Sequence, residues 1–93
     1  MSLLTENQVV TQLGTLRGWE RVGKEIKKTF EHKDFVHAMG FVNSVALLAE
    51  KANHHPDIDI RWNKVSLVLS THSAGGVTLN DVICAAKTER LFA

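Results

Sequence analysis

A chain of 93 residues with 44% hydrophobic and 23% charged residues describes one globular domain, spanning 1–93, with room for a single modest core. Eleven Lys and Arg against ten Asp and Glu leave a net charge of +1, which offers no basic stripe to attract nucleic acid or an anionic membrane. The single cysteine, Cys84, excludes an internal disulfide and reads as a small apolar helix residue. Thr5, Glu6 and Asn7 stand where a secretory signal would need an apolar run. No stretch approaches the roughly 20 apolar residues of a membrane span. A cytoplasmic protein is expected.

In chain order, Thr5 to Leu13 predicts a short helix, with Thr5 and Gln8 at capping-box spacing and Gly14 placed to end it. Two strands follow, about Gly18–Val22 and Glu25–His32, turning at Gly23-Lys24. In the second, Ile26, Lys28, Phe30 and His32 alternate with Lys27, Thr29 and Glu31, the period of a strand with at least one wet face. Asp34 is suited to cap a long helix running to about Lys51, with Phe35, Ala38, Met39, Val42, Val45, Ala46 and Ala49 as its apolar stripe. Met39 and Phe41 read as packing residues.

Pro56 keeps the residue before it out of helical dihedrals, so the helix should stop near Asn53. Asp57–Trp62 and Val65–Thr71 then predict a second strand pair, with Asn63-Lys64 at the turn. After Gly75-Gly76, the Thr78-Leu79-Asn80-Asp81 spacing opens a last helix to about Arg90, burying Leu79, Val82, Ile83 and Ala86. The order α-β-β-α-β-β-α implies an α+β fold, a four-stranded antiparallel sheet with helices packed on one face.

The second hairpin carries the chemistry. With Asn63 and Lys64 as the loop, Trp62 pairs with Val65, Ile60 with Leu67 and Ile58 with Leu69, an apolar layer on one side. The other side pairs Arg61 with Ser66, Asp59 with Val68, Asp57 with Ser70, and His55 with His72, whose Cβ atoms would lie about 5 Å apart. A slip of one residue would put the Ile/Leu layer in water. His54, next to Pro56, can turn toward the same place. Two and up to three imidazoles, titrating near neutral pH, thus converge beside Asp57, Ser70 and Thr71.

Each of these residues also has a plainer reading. His54-His55 could be an exposed loop pair, and His72 a hydrogen-bonded strand end. Asp81 could serve only as the fourth residue of a capping box, binding backbone N–H groups. Glu50 reads as a solvated charge, and Trp62, in register with Ile58 and Ile60, as core. His32 and His37 have no evident partner. A metal site ranks below metal-free acid/base chemistry, because adjacent residues of an extended chain point apart and neither a Cys pair nor an HExxH motif is present. A Ser-His-Asp hydrolase is excluded by the lack of a Gly-x-Ser-x-Gly elbow.

Glu50, three residues, His54-His55-Pro56, five residues, Trp62, nine residues, His72 and then Asp81 form a spaced pattern. It resembles that of the pterin-4a-carbinolamine dehydratases. The likeness covers at least Phe30 to Asp81, and the element order extends it to the whole chain. It implies a hydro-lyase that dehydrates 4a-hydroxytetrahydropterin to the quinonoid dihydropterin, recycling the pterin of aromatic amino acid hydroxylases. His54, His55 and His72 would be catalytic, and Pro56, Ser70, Thr71 and Ser73 would line the pterin pocket. Asp57, beside the histidines in the register, is counted with the binding residues, while Glu50, Trp62 and Asp81 would support the site. The pterin is the substrate, so no metal or cofactor is implied. Family members are usually homodimers or homotetramers with the sheet extended across the dimer. The alternative is a non-catalytic binding or scaffolding protein of the same fold, which loss of a histidine or of Pro56 would have favoured.

Overall fold

The computed structural model describes residues 2–92. In chain order it contains α1 (Glu6–Leu13), β1 (Glu20–Val22), β2 (Glu25–Glu31), α2 (Phe35–Ala52), β3 (Asp57–Arg61), β4 (Lys64–Leu69), a 3₁₀ turn (His72–Ala74) and α3 (Leu79–Phe92). The strands form one antiparallel sheet in the order β1-β2-β4-β3. This is the expected α-β-β-α-β-β-α architecture.

Local chemistry sets the helix ends. Thr5 and Gln8 close a capping box at α1, and Gly14 ends that helix with its N–H on Val10 and Gln12. Asp34 caps α2 by accepting the His37 N–H at 2.8 Å. Asn53 ends α2 in the left-handed conformation, φ 50°, which Asn tolerates better than most residues.

Ile26, Lys28 and Phe30 of β2 pair with Leu69, Leu67 and Val65 of β4 and share the covered face of the sheet. These apolar residues join Ala38, Phe41 and Val45 of α2 and Cys84 and Ala85 of α3 in one core, with Val9 and Trp19 at its margin. Lys28 is a charge on that buried face. Its ammonium reaches Glu89 Oε1 at 2.5 Å and the Arg17 carbonyl at 2.8 Å, and Glu89 also accepts the Trp19 indole N–H at 2.9 Å. The period of two in β2 therefore marks the core side correctly, and the ion pair is what allows a lysine there.

The β3–β4 register differs from the expected one by two residues. Asp57 pairs with Val68, Ile58 with Leu67 and Ile60 with Val65, so Trp62-Asn63 is the turn, with Trp62 at φ 53°. The reason is long-range. Asn63 is buried against the end of β2, where its carbonyl accepts the His32 N–H at 2.8 Å and its side-chain amide donates to the His32 carbonyl at 2.9 Å. A shift of two leaves alternation intact, so Ile58 and Ile60 still share a side with Leu67 and Val65.

Trp62 is not core: it is 68% exposed at the turn. Ile58 and Ile60, on the edge strand, are 36% and 37% exposed, so the apolar layer is only half covered. Two helix stripes also need correction. Leu79 and Ile83 of α3 are exposed while Val82, Cys84 and Ala85 are buried, and in α2 Phe41 replaces Phe35 and Ala46 among the buried residues. No described helix is long and apolar enough to cross a membrane.

Candidate active site

The chain leaves α2 through Asn53, and the His54 N–H closes back on the Ala49 carbonyl at 3.1 Å. Pro56 then commits the backbone to β3. This tight exit swings the His54 ring beneath the end of α2 toward the first turn of α3. There its Nε2 lies 2.5 Å from Asp81 Oδ1. The Asp81 side chain is wholly buried, and its Oδ2 accepts the Thr78 N–H at 2.8 Å and the Thr71 hydroxyl at 2.9 Å. The Thr71 and Thr78 hydroxyls are 2.8 Å apart. Asp81 thus makes the backbone contact expected of a capping box and also holds a histidine.

His55, one residue on, meets a different carboxylate. Its Nε2 is 2.6 Å from Glu50 Oε1, and both side chains are largely exposed, 54% and 78%. Solvent screens such a pair heavily. Glu50 is therefore a hydrated charge that nonetheless orients a ring.

His72 does not stand opposite His55. Extending the observed register sets position 55 against 70, and β4 ends at Leu69 before the histidine is reached. His72 instead opens the 3₁₀ turn, which is pinched by a Thr71–Gly76 bridge and reversed at Gly75, φ 78°. Its exposed ring borders an open cleft of about 400 Å³, shared with Lys24, Glu25 and Ser70. Ser70 Oγ donates to the Lys24 carbonyl at 2.9 Å, tying the β1–β2 turn to the end of β4.

The remaining expected site residues fall around this frame. Pro56 and His54 line a small cavity together with the apolar residues Val45, Leu67 and Cys84, and burial pushes the Cys84 thiol pKa up. Ser73 is exposed on the 3₁₀ turn, and Asp57 is exposed at the start of β3. The Thr71 hydroxyl is committed to Asp81 and Thr78. Trp62 is at the far end of β3 from the histidines. Sequence reasoning missed Thr78 and Lys24. The first was visible only as a capping residue, and the second had no signal beyond its place in a turn. Among the described residues no group of three or more His, Cys, Asp or Glu side chains is arranged to hold a metal ion.

The arrangement offers one ring fixed by a buried carboxylate, one on a surface carboxylate and one exposed ring on a tight turn. Imidazoles so placed are general acid/base candidates.

The sequence model of the pterin 4 alpha carbinolamine dehydratase family matches residues 2–91. A protein of Roseiflexus castenholzii is 52% identical over 91 residues, covering 98% of both chains, and is itself provisionally named a pterin-4-alpha-carbinolamine dehydratase. One from Chromobacterium violaceum, with the same provisional name, is 48% identical over 98% of this chain and 84% of its own. The crystal structure of a transcriptional coactivator/pterin dehydratase from Brucella melitensis superposes with a TM-score of 0.93 at 39% identity, covering 97% of this chain and 98% of that one. A pterin dehydratase-like RuBisCO assembly factor of the alpha-carboxysome shares the fold, with a TM-score of 0.73 at 21% identity over 84% of this chain and 93% of its own. The chain belongs to the pterin-4a-carbinolamine dehydratase family.

Proposed function

We propose that this protein is a hydro-lyase converting 4a-hydroxytetrahydropterin to the quinonoid dihydropterin and water, in the cytoplasm, in support of an aromatic amino acid hydroxylase. The observation that carries the reading is the His54–Asp81 contact at 2.5 Å, with His55 beside it in the chain and His72 one residue beyond the Asp81-bound Thr71. In the reaction the C4a–oxygen bond breaks and a ring nitrogen gives up its proton. A proton reaches the departing oxygen, and water leaves with no oxidant or reductant. The chemistry asks for a proton donor at that oxygen and a base at the ring N–H, each contributing roughly 10²–10⁴-fold.

One of His55 and His72 supplies the proton to the oxygen, and another histidine is the base. Pro56, Asp57, Ser70 and Ser73 surround the pterin, which is the substrate rather than a bound cofactor. The half-covered edge strand β3, with Ile58 and Ile60, supports the homodimer or homotetramer that the family resemblance implies.

The test is stopped-flow decay of 4a-hydroxytetrahydropterin with wild type and a His55→Ala, His72→Ala double variant. Wild type accelerates the decay, and the double variant loses at least about 10²-fold of that acceleration. Decay unaffected by wild type would favour a non-catalytic binding protein of the same fold.

A further inference from the structure

The end of the sheet nearest the histidines gathers three polar residues on the face that the helices leave uncovered. Ile26 pairs with Leu69, and Asp57 with Val68. Carried further, the same registers set Glu25 against Ser70 and Ser70 against position 55. Ile26 and Leu69 are buried in the core, so their neighbours Glu25 and Ser70 take the open face. His54 turns under the helices to Asp81, and His55, next in the chain, takes the open side with Asp57. The Ser70 hydroxyl, donating to the Lys24 carbonyl at 2.9 Å, ties the row together.

Glu25 is the member of this row without a structural task. It is half-buried at the start of β2 and borders the open cleft of about 400 Å³ shared with Ser70 and His72. Among the described residues its carboxylate enters no ion pair and accepts no hydrogen bond. A carboxylate only accepts, so a molecule entering the cleft is favoured if it brings N–H groups. Two donors side by side suit it best, one to each oxygen. Two strand spacings separate the Glu25 and His55 backbones by about 10 Å. That span takes one fused ring system held by a contact at each end.

We infer that Glu25 is a specificity-determining residue that binds the amidine edge of the substrate, the 2-amino group and N3–H of a pterin, through its two carboxylate oxygens. The identity of the ring rests on the proposed dehydratase reading; the preference for a paired N–H edge rests on the carboxylate. C4a lies across the pyrimidine ring from C2, so an amidine edge on Glu25 turns C4a toward His55 and His72. A ring with an oxo group in place of the 2-amino group sets an oxygen against the carboxylate and is rejected.

The experiment is equilibrium binding, by fluorescence titration, of 7,8-dihydropterin and its 2-oxo counterpart 7,8-dihydrolumazine to wild type, Glu25→Gln and Glu25→Ala. Wild type binds the amino ring at least about ten-fold more tightly than the oxo ring, the worth of roughly one hydrogen bond to a charged group. Glu25→Ala loses about ten-fold for the amino ring and nothing for the oxo ring, so the preference disappears. Glu25→Gln keeps the shape but offers one acceptor and one donor, and its preference falls between the two; it serves alone should the alanine variant fail to fold. Equal affinity of wild type for the two rings, or a variant that keeps the wild-type preference, overturns the inference. A loss shared equally by both rings also overturns it, since that is what a merely structural role gives. Wild type that shows the preference yet leaves the decay of 4a-hydroxytetrahydropterin unchanged would sink the dehydratase reading and keep Glu25 as the anchor of the ring.

Discussion

His54 and His55 are neighbours that each set Nε2 against a carboxylate, yet their surroundings make them different instruments. The Asp81 carboxylate is wholly buried and satisfied by three donors, whereas Glu50 is 78% exposed and easily replaced by water. Asp81→Ala would strand the Thr71 hydroxyl, the Thr78 N–H and the His54 ring together, at a cost of about 2–4 kcal/mol in urea denaturation. Glu50→Ala should change stability by less than about 1 kcal/mol in the same measurement. Equal losses for the two would contradict this division. Both carboxylates were legible in the spaced pattern, but the pairing was not. His54 and Asp81 are 27 positions apart and meet only because the tight exit from α2 faces the first turn of α3.

At the scale of elements, alternation and capping signals were enough to order the helices and strands. Thr5, Asp34 and Asn53 act as caps where the residue types suggest, and β2 buries Ile26 and Phe30 as its period requires. Hairpin register was less legible, because the choice between Trp62-Asn63 and Asn63-Lys64 as the turn is made by Asn63 docking on His32, a contact 31 positions away. The same distance effect hid the Glu89 anchor, which gathers Lys28 and Trp19 under α3. The error had a chemical consequence: it set His55 across from His72, when the rings belong to a loop and a 3₁₀ turn. Two substitutions separate the registers. Trp62→Ala should cost less than about 1 kcal/mol, as for an exposed turn residue, whereas Phe30→Ala should cost about 3–5 kcal/mol. A Trp62→Ala loss as large as that of Phe30→Ala would restore the core position for Trp62.

Across the whole molecule the five histidines divide into those at the candidate site and two at the opposite end of the sheet. His37 pairs with Asp34 at 2.6 Å, and its bonds hold the Asp34 carboxyl below its usual pKa. His32 packs between Phe41 and Phe92, at 4.8 and 5.3 Å between ring centroids, with Nε2 unpartnered. Burial, and next the charge of His37, lower the His32 pKa below 6.5. The folded state therefore resists a proton that the unfolded chain accepts. The His32 contribution to stability is complete above 6.5 and is lost as pH falls below it toward the folded value. Thermal melts between about pH 7 and pH 5 should show Tm falling with pH, and His32→Leu should flatten that slope. A slope unchanged by the substitution would assign the pH dependence elsewhere.

In the proposed reaction the residues gathered around Asp81 dehydrate a pterin carbinolamine. Its most direct measurement is the single-turnover decay of 4a-hydroxytetrahydropterin, wild type against His54→Ala. Wild type in excess should speed the decay, and His54→Ala should lose about 10²-fold or more of that acceleration while keeping its fold. A His54→Ala protein that dehydrates as fast as wild type would contradict the account.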